Sequence, residues 1–411
     1  MSKRRATRRR RSATEWGVRG ALAIAAAGLG YVSVAHSLAY VIRGSAPERA
    51  HALAPWDGRI TALVSVKLSG PEASAADRRR AGDLARLALR QDPTAVPAVA
   101  TLGINAQVRG DTAAARRIFA YSETLSRRDL RTRLWAIEDA VGRNDIPDVL
   151  RNYDIALRTS RIAPDLLFPV LASAIGDPKI RQALVATLAK QPIWSDQFIG
   201  FVSGNGSDTR ATANLFEALH RRGIALPLGS QAALIGRLLT EGHADEAWHF
   251  YVAITPGANR RIARDPGFTA NPASPTPFDW QPVIDSGVSG TIQRSERGGI
   301  FDFAVPPNLG GPLLRQTQVL TAGDYTIEGR SIGIEQADDA LPYWTLTCGD
   351  GRELGRVTIP NSTQANGRFV GRFTVPAGCP VQQLLLVARP SETLSGLSGQ
   401  IDDVHLQPAR R

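Results

Sequence analysis

From Gly20 to Ile42 the chain runs through 23 consecutive residues without a formal charge, rich in Ala, Leu, Ile and Val. As a helix rising about 1.5 Å per residue, such a stretch covers roughly 34 Å and crosses a bilayer. Its flanks are asymmetric: residues 1–43 hold nine Lys or Arg (Lys3, Arg4, Arg5, Arg8, Arg9, Arg10, Arg11, Arg19, Arg43) against one acid, Glu15, and only Arg43 follows the apolar run closely. Cations concentrate on the cytoplasmic side of a membrane, so residues 1–19 are expected to form a basic cytoplasmic tail and everything after Ile42 to be exported. The expected address is a bacterial inner membrane, crossed once by residues 20–42, with the bulk of the chain in the periplasm. A cleaved signal peptide is the competing reading, with Ser33-Val34-Ala35 as a small-residue exit, although the run has the length of a permanent anchor.

The same charge count excludes a polyanion-binding body. Of the formal charge of +11, the first 43 residues carry +8, which leaves only +3 on the other 368. No nucleic-acid partner is expected from so local a basic block. With 43% apolar residues in 411, there is material for two or three folded domains.

Over about 50–258 the composition turns to Ala, Leu and Arg at helical spacing, and the pattern repeats every 34 residues. Ala81, Ala115 and Val149 stand one period apart, followed four residues on by Ala85, Phe119 and Tyr153, and then by Ala88, Ser122 and Ala156. Small residues let two helices of a hairpin approach, and the larger one fills the groove to the next. This resembles the tetratricopeptide repeat. The best unit reads Val99, Leu102, Gly103, Ala106, Gly110, Ala115, Phe119, and a second follows after a phase slip as Leu234, Ile235, Gly242, Ala247, Tyr251. Between them Asp177-Pro178, Gln191-Pro192 and Gly204-Asn205-Gly206-Ser207 break the register. The resemblance implies an α-solenoid whose groove binds a protein partner of the cell envelope. A stack that serves only as spacer or packing surface is the alternative.

Past Pro256 prolines crowd in and short alternating runs replace helical spacing. Strands are expected over 299–304, 315–320, 325–332, 343–348, 369–375, 383–388 and 401–406, enough for one antiparallel β-sandwich over 259–411. The segment Asp265-Pro266-Gly267-Phe268-Thr269, the strand of Trp280, the hairpin Ala322-Gly323-Asp324-Tyr325-Thr326 and the close Ile401-Asp402-Asp403-Val404 resemble, in that order, the jelly-roll carbohydrate-binding modules of secreted enzymes and envelope proteins. The resemblance implies polysaccharide contact and a structural calcium ion. Asp402 and Asp403 are the calcium candidates, but Thr269 replaces the opening acid. Alternation along 343–348 turns Trp344, Leu346 and Cys348 to one face and Tyr343 to the other, so Tyr343 and, beside it, Trp280 are the candidates to stack on sugar.

Cys348 and Cys379 are the only cysteines. In an oxidising compartment they are expected to pair, and two buried free thiols are the alternative. Catalytic patterns do not emerge: no phosphate loop precedes a helix, no Gly-x-Ser-x-Gly elbow occurs, and the six His are dispersed. A non-enzymatic, membrane-anchored scaffold is the reading, with an accessory subunit of a polysaccharide-assembly or export machine as its rival and a glycan-processing enzyme as the remotest.

Overall fold

The computed structural model describes residues 12–284, 287–296 and 298–410. Most of the expected basic tail, residues 1–11, lies outside them. Among the described residues fourteen helices precede two antiparallel sheets. The chain separates into two compact units, one ending at Ala163 and the other beginning at Pro164, so the second holds both helices and sheets.

In the first unit, α1 (Ala13–Ile42) starts where the Ser12 hydroxyl accepts the Glu15 amide at 3.2 Å. It is the one helix among the described residues long and apolar enough to cross a membrane. Leu22, Ile24, Leu29, Val34 and Val41 stand exposed on it, and its only buried residues are Ala35 and Ala39. Ala39 joins Ala50, Ala54 and Ile60 in a cluster, so the last turns of α1 pack into the fold with α2 (Pro47–Leu53) and α3 (Gly58–Lys67).

Three helical pairs follow: α3 with α4 (Ala75–Gln91), α5 (Val96–Val108) with α6 (Thr112–Leu125), and α7 (Leu130–Gly142) with α8 (Ile146–Thr159). Each boundary has a chemical cause. Asp57, Asp111, Asp129 and Asp145 accept first-turn amides, Ser74 and Asp77 close a reciprocal box, and Gly110 ends α5 at φ +80°. The residues of the 34-residue period fall on α4, α6 and α8, where Ala81, Ala115, Ala85, Phe119, Tyr153, Ala88, Ser122 and Ala156 are all buried. Burial pushes the Tyr153 phenol up to about 12. Gly103 is required by packing, because a Cβ there would lie 2.7 Å from the Phe119 ring. That ring stacks on Trp135 at 4.4 Å and so ties the α5–α6 pair to α7.

The second unit opens with α9 (Ala163–Ala174), α10 (Pro178–Leu188), α11 (Ser195–Asn205), α12 (Thr209–Arg221), α13 (Leu228–Thr240) and α14 (Ala244–Ile254). The places where the sequence period fails are helix ends. Asp177 caps α10 with Pro178 at its first turn, Gln191 turns the chain at φ +51°, and Arg237 reaches across to the Gly206 carbonyl and the Thr209 hydroxyl, both at 2.8 Å, to bridge α11 and α12. Leu234, Ile235, Ala247 and Tyr251 are buried where α13 packs on α14.

Ten strands follow: β1 (Gln281–Pro282), β2 (Ser289–Ser295), β3 (Gly298–Val305), β4 (Gly311–Gln318), β5 (Gly323–Ile332), β6 (Tyr343–Cys348), β7 (Glu353–Thr358), β8 (Arg368–Val375), β9 (Gln382–Ala388) and β10 (Leu397–Pro408). They form two five-stranded sheets, β1-β4-β9-β6-β7 and β2-β3-β10-β5-β8, antiparallel throughout. Phe301, Phe303, Phe373 and Ile401 of the second sheet share one core with Trp344, Leu346, Leu384 and Leu386 of the first. β7 and β8 lie against each other across the two sheets, with Gly371 so close to Val357 that a Cβ there would meet it at 2.3 Å. All seven expected strands are present. The strand expected at Trp280 is the two-residue β1 that follows it, and two more, β2 and β7, were not expected: β2 is mostly exposed and so lacks apolar alternation, and β7 is interrupted by Gly355 at φ +151°.

Helix and sheet are joined within this unit. Trp248 and Tyr251 of α14 pack on Phe278, with ring centroids 5.3 and 4.8 Å away. Arg264 donates to both the Tyr251 hydroxyl and the buried Asp279 carboxylate, and Asp279 also takes the amide and hydroxyl of Thr276 at 2.8 Å. Burial, then the Asp279 charge, pushes the Tyr251 phenol far up, so it stays a neutral donor and acceptor.

Candidate functional site

The outer face of the first sheet carries Tyr343. The pleat of β6 sends Trp344, Leu346 and Cys348 into the core and leaves Tyr343 half-buried on the other side. Tyr343 stands opposite Thr358 of β7 and Val387 of β9. Two guanidiniums lie over its ring, Arg356 at 4.1 Å and Arg389 at 5.0 Å from the centroid. Arg356 is held from its own strand by Glu353 at 3.0 Å, whose hydrogen bond raises the guanidinium above its ordinary value. Along the same face Gln383 donates to the Thr317 hydroxyl at 2.9 Å and Arg315 to the Gln281 amide oxygen at 3.0 Å. The arrangement offers amides, hydroxyls and guanidiniums, which suit hydroxyl or oxyanion groups. The outward turn of Tyr343 was legible in the sequence, but its two cationic neighbours were not, because Arg356 lies on the unexpected β7 and Arg389 just beyond β9.

Trp280 is corrected. It is only 5% exposed, its indole N–H donates to the Asp265 carbonyl at 2.9 Å, and its ring packs between Phe268 and Trp344 with centroids 5.3 and 5.8 Å away. A ring spent in this way is a core residue and offers no face to a sugar.

Cys348 and Cys379 form a disulfide with Cα atoms 5.7 Å apart, joining the end of β6 to the turn before β9. Asp402 and Asp403 sit at the bulge where β10 shifts register against β5. Asp403 takes φ +55° and its carboxylate accepts a hydrogen bond from the His405 ring at 2.8 Å, beside a cleft of about 420 Å³ that also holds Glu328, Arg330 and Arg368. At the other end of the implied calcium set, Thr269 stands in place of the acid and donates its amide and hydroxyl to Asp265 at 2.8 and 2.9 Å, while Asp265 also takes the Ala270 amide at 3.0 Å. Among the described residues no three His, Cys, Asp or Glu converge as a metal set.

Neither a family model nor a curated protein matches the chain. Among solved structures it is similar to TmCBM61 in complex with β-1,4-galactotriose, at 16% identity over 37% of this chain and 100% of that one, with a TM-score of 0.25. It is similar also to the CBM22-1 xylan-binding domain from Paenibacillus barcinonensis, at 12% identity over 38% of this chain and 100% of that domain, with a TM-score of 0.25. Arabinose-bound MgGH51 α-L-arabinofuranosidase matches at 10% identity and a TM-score of 0.29, and the chain spans only 28% of that enzyme.

Proposed function

We propose that this chain is a membrane-anchored, exported scaffold of a bacterial cell envelope. In this reading α1 crosses the inner membrane once, the basic tail stays in the cytoplasm, the helical pairs act as tetratricopeptide-like repeats that hold a protein partner, and the two sheets act as a jelly-roll module facing polysaccharide around Tyr343. The observation that carries it is α1 itself. Its apolar side chains have no protein partner along most of its length, yet Ala39 near its end is buried against Ala50, Ala54 and Ile60. A signal destined for removal gains nothing from such packing, whereas an anchor that must hold a folded body does. The disulfide supports an oxidising compartment.

A second reading has its own support. Arg356 and Arg389 already cover the Tyr343 ring, which favours a docking domain, in an assembly or export complex, that never touches sugar. The full chain in nanodiscs, tested against envelope polysaccharides, separates the two. Retention that is lost in Tyr343→Ala supports the glycan-facing scaffold, and no retention on any polysaccharide leaves the accessory subunit.

A further inference from the structure

Between α10 and α12 of the second unit lies a cleft of about 410 Å³ whose charged lining is three arginines, Arg181, Arg221 and Arg222, with the amides of Gln182 and Asn214 beside them. No Asp or Glu lines it. Two other clefts of this protein also hold arginine but supply carboxylates with it: Arg330 and Arg368 stand with Glu328 and Asp403, and Arg116 with Glu138 and Asp139. Arg181 is fixed in place, donating to the Ile175 carbonyl at 2.7 Å and the Gly176 carbonyl at 3.3 Å. Arg221 and Arg222 are exposed and, among the described residues, have no carboxylate within 4.0 Å. Their place at the end of α12 complements the helix dipole, which accounts for two cations but not for their convergence with a third from α10.

Like charges gathered in a concavity repel one another, and the field they focus attracts an anion. A guanidinium presents a planar fork that matches two oxygens of a carboxylate or phosphate at once, and the neighbouring amides add neutral donors. Since residues 44–411 carry a net charge of only +3, this concentration is local and not a property of the whole surface.

We propose that the α10–α12 cleft is a binding site for an oxyanion-bearing ligand, its carboxylate or phosphate held by Arg221 and Arg222 against the fixed Arg181. The site is separate from the Tyr343 face and stands whether or not that face meets sugar. The test uses the full chain in phosphatidylcholine nanodiscs, titrated calorimetrically with inorganic pyrophosphate, with trigalacturonate and with neutral β-1,4-galactotriose. Saturable binding of either anion is expected, weakened about tenfold or more in the doubly substituted R221Q/R222Q chain and by raised salt. Pyrophosphate binding assigns phosphate as the source, and trigalacturonate binding an acidic sugar. Both substituted residues are exposed, so an unchanged circular-dichroism melt confirms that the fold is kept. Binding of neither anion overturns the proposal, as does equal binding of neutral galactotriose at this cleft or an affinity that R221Q/R222Q leaves intact.

Discussion

Replacing Cys348 and Cys379 together by Ala removes a cross-link between residues 31 apart in sequence, while two residues only 5% and 4% exposed stay apolar. In the chain-entropy account, closing a loop of about 32 residues takes roughly 12 cal/mol/K from the unfolded ensemble, or about 3.7 kcal/mol at 25 °C. Domains are stable by only about 5–15 kcal/mol, so this is a large share for the sheets. The cross-link ties β6 to the turn before β9, and these strands pair directly from Tyr343↔Val387 to Cys348↔Gln382. Hydrogen exchange read by mass spectrometry reports it locally: protection of the β6 and β9 amides is expected to fall roughly 500-fold, with α3–α8 in the other unit unchanged. A fall below about tenfold, or an equal fall in α3–α8, refutes the reasoning.

Asp279→Asn removes the charge that Arg264 meets beneath α14 and is expected to cost about 2–4 kcal/mol, seen as faster proteolysis between α14 and β1; an unchanged cleavage rate contradicts it. Gly103→Ala drives a methyl into the Phe119 ring and is expected to destabilise the α5–α6 pair by about 1–3 kcal/mol in urea unfolding, with no effect on the sheets. The Glu241 carboxyl is held below its usual 4.5 chiefly by Thr209 and then by Arg237. A depressed carboxylate contributes stability that is complete above about pH 4.5 and is lost as pH falls through its lower folded value. Glu241→Gln is therefore expected to flatten the acid side of the stability profile of α12–α14, and an unaltered profile counts against the contact.

Helices were legible in the sequence where packing alone chose the residues. The period of Ala81, Ala115 and Val149 marks the second helix of three successive pairs because the same small side chain recurs at the same close approach. Register was lost from Asp177 to Ser207 for a local reason: α10 keeps its Asp177 cap, but α11 starts without a side-chain cap, and Phe168 of α9 packs on Trp194 and Phe198 at α11, aromatics in place of the small-and-large pattern. The inward face of β6 followed from alternation alone. Trp280 did not, since its burial depends on a hydrogen bond to Asp265, fifteen residues away, and on Trp344 from another strand. The α10–α12 cleft was equally hidden, because Arg181 and Arg221 are forty residues apart in sequence and meet only across two helices.

Expressed in a bacterium with a reporter fused after Arg411 that works only outside the cytoplasm, the protein should resist carbonate extraction, light the reporter and, in spheroplasts, lose everything beyond α1 to added protease. A silent reporter on a chain that carbonate releases from the membrane and external protease cannot reach contradicts the account.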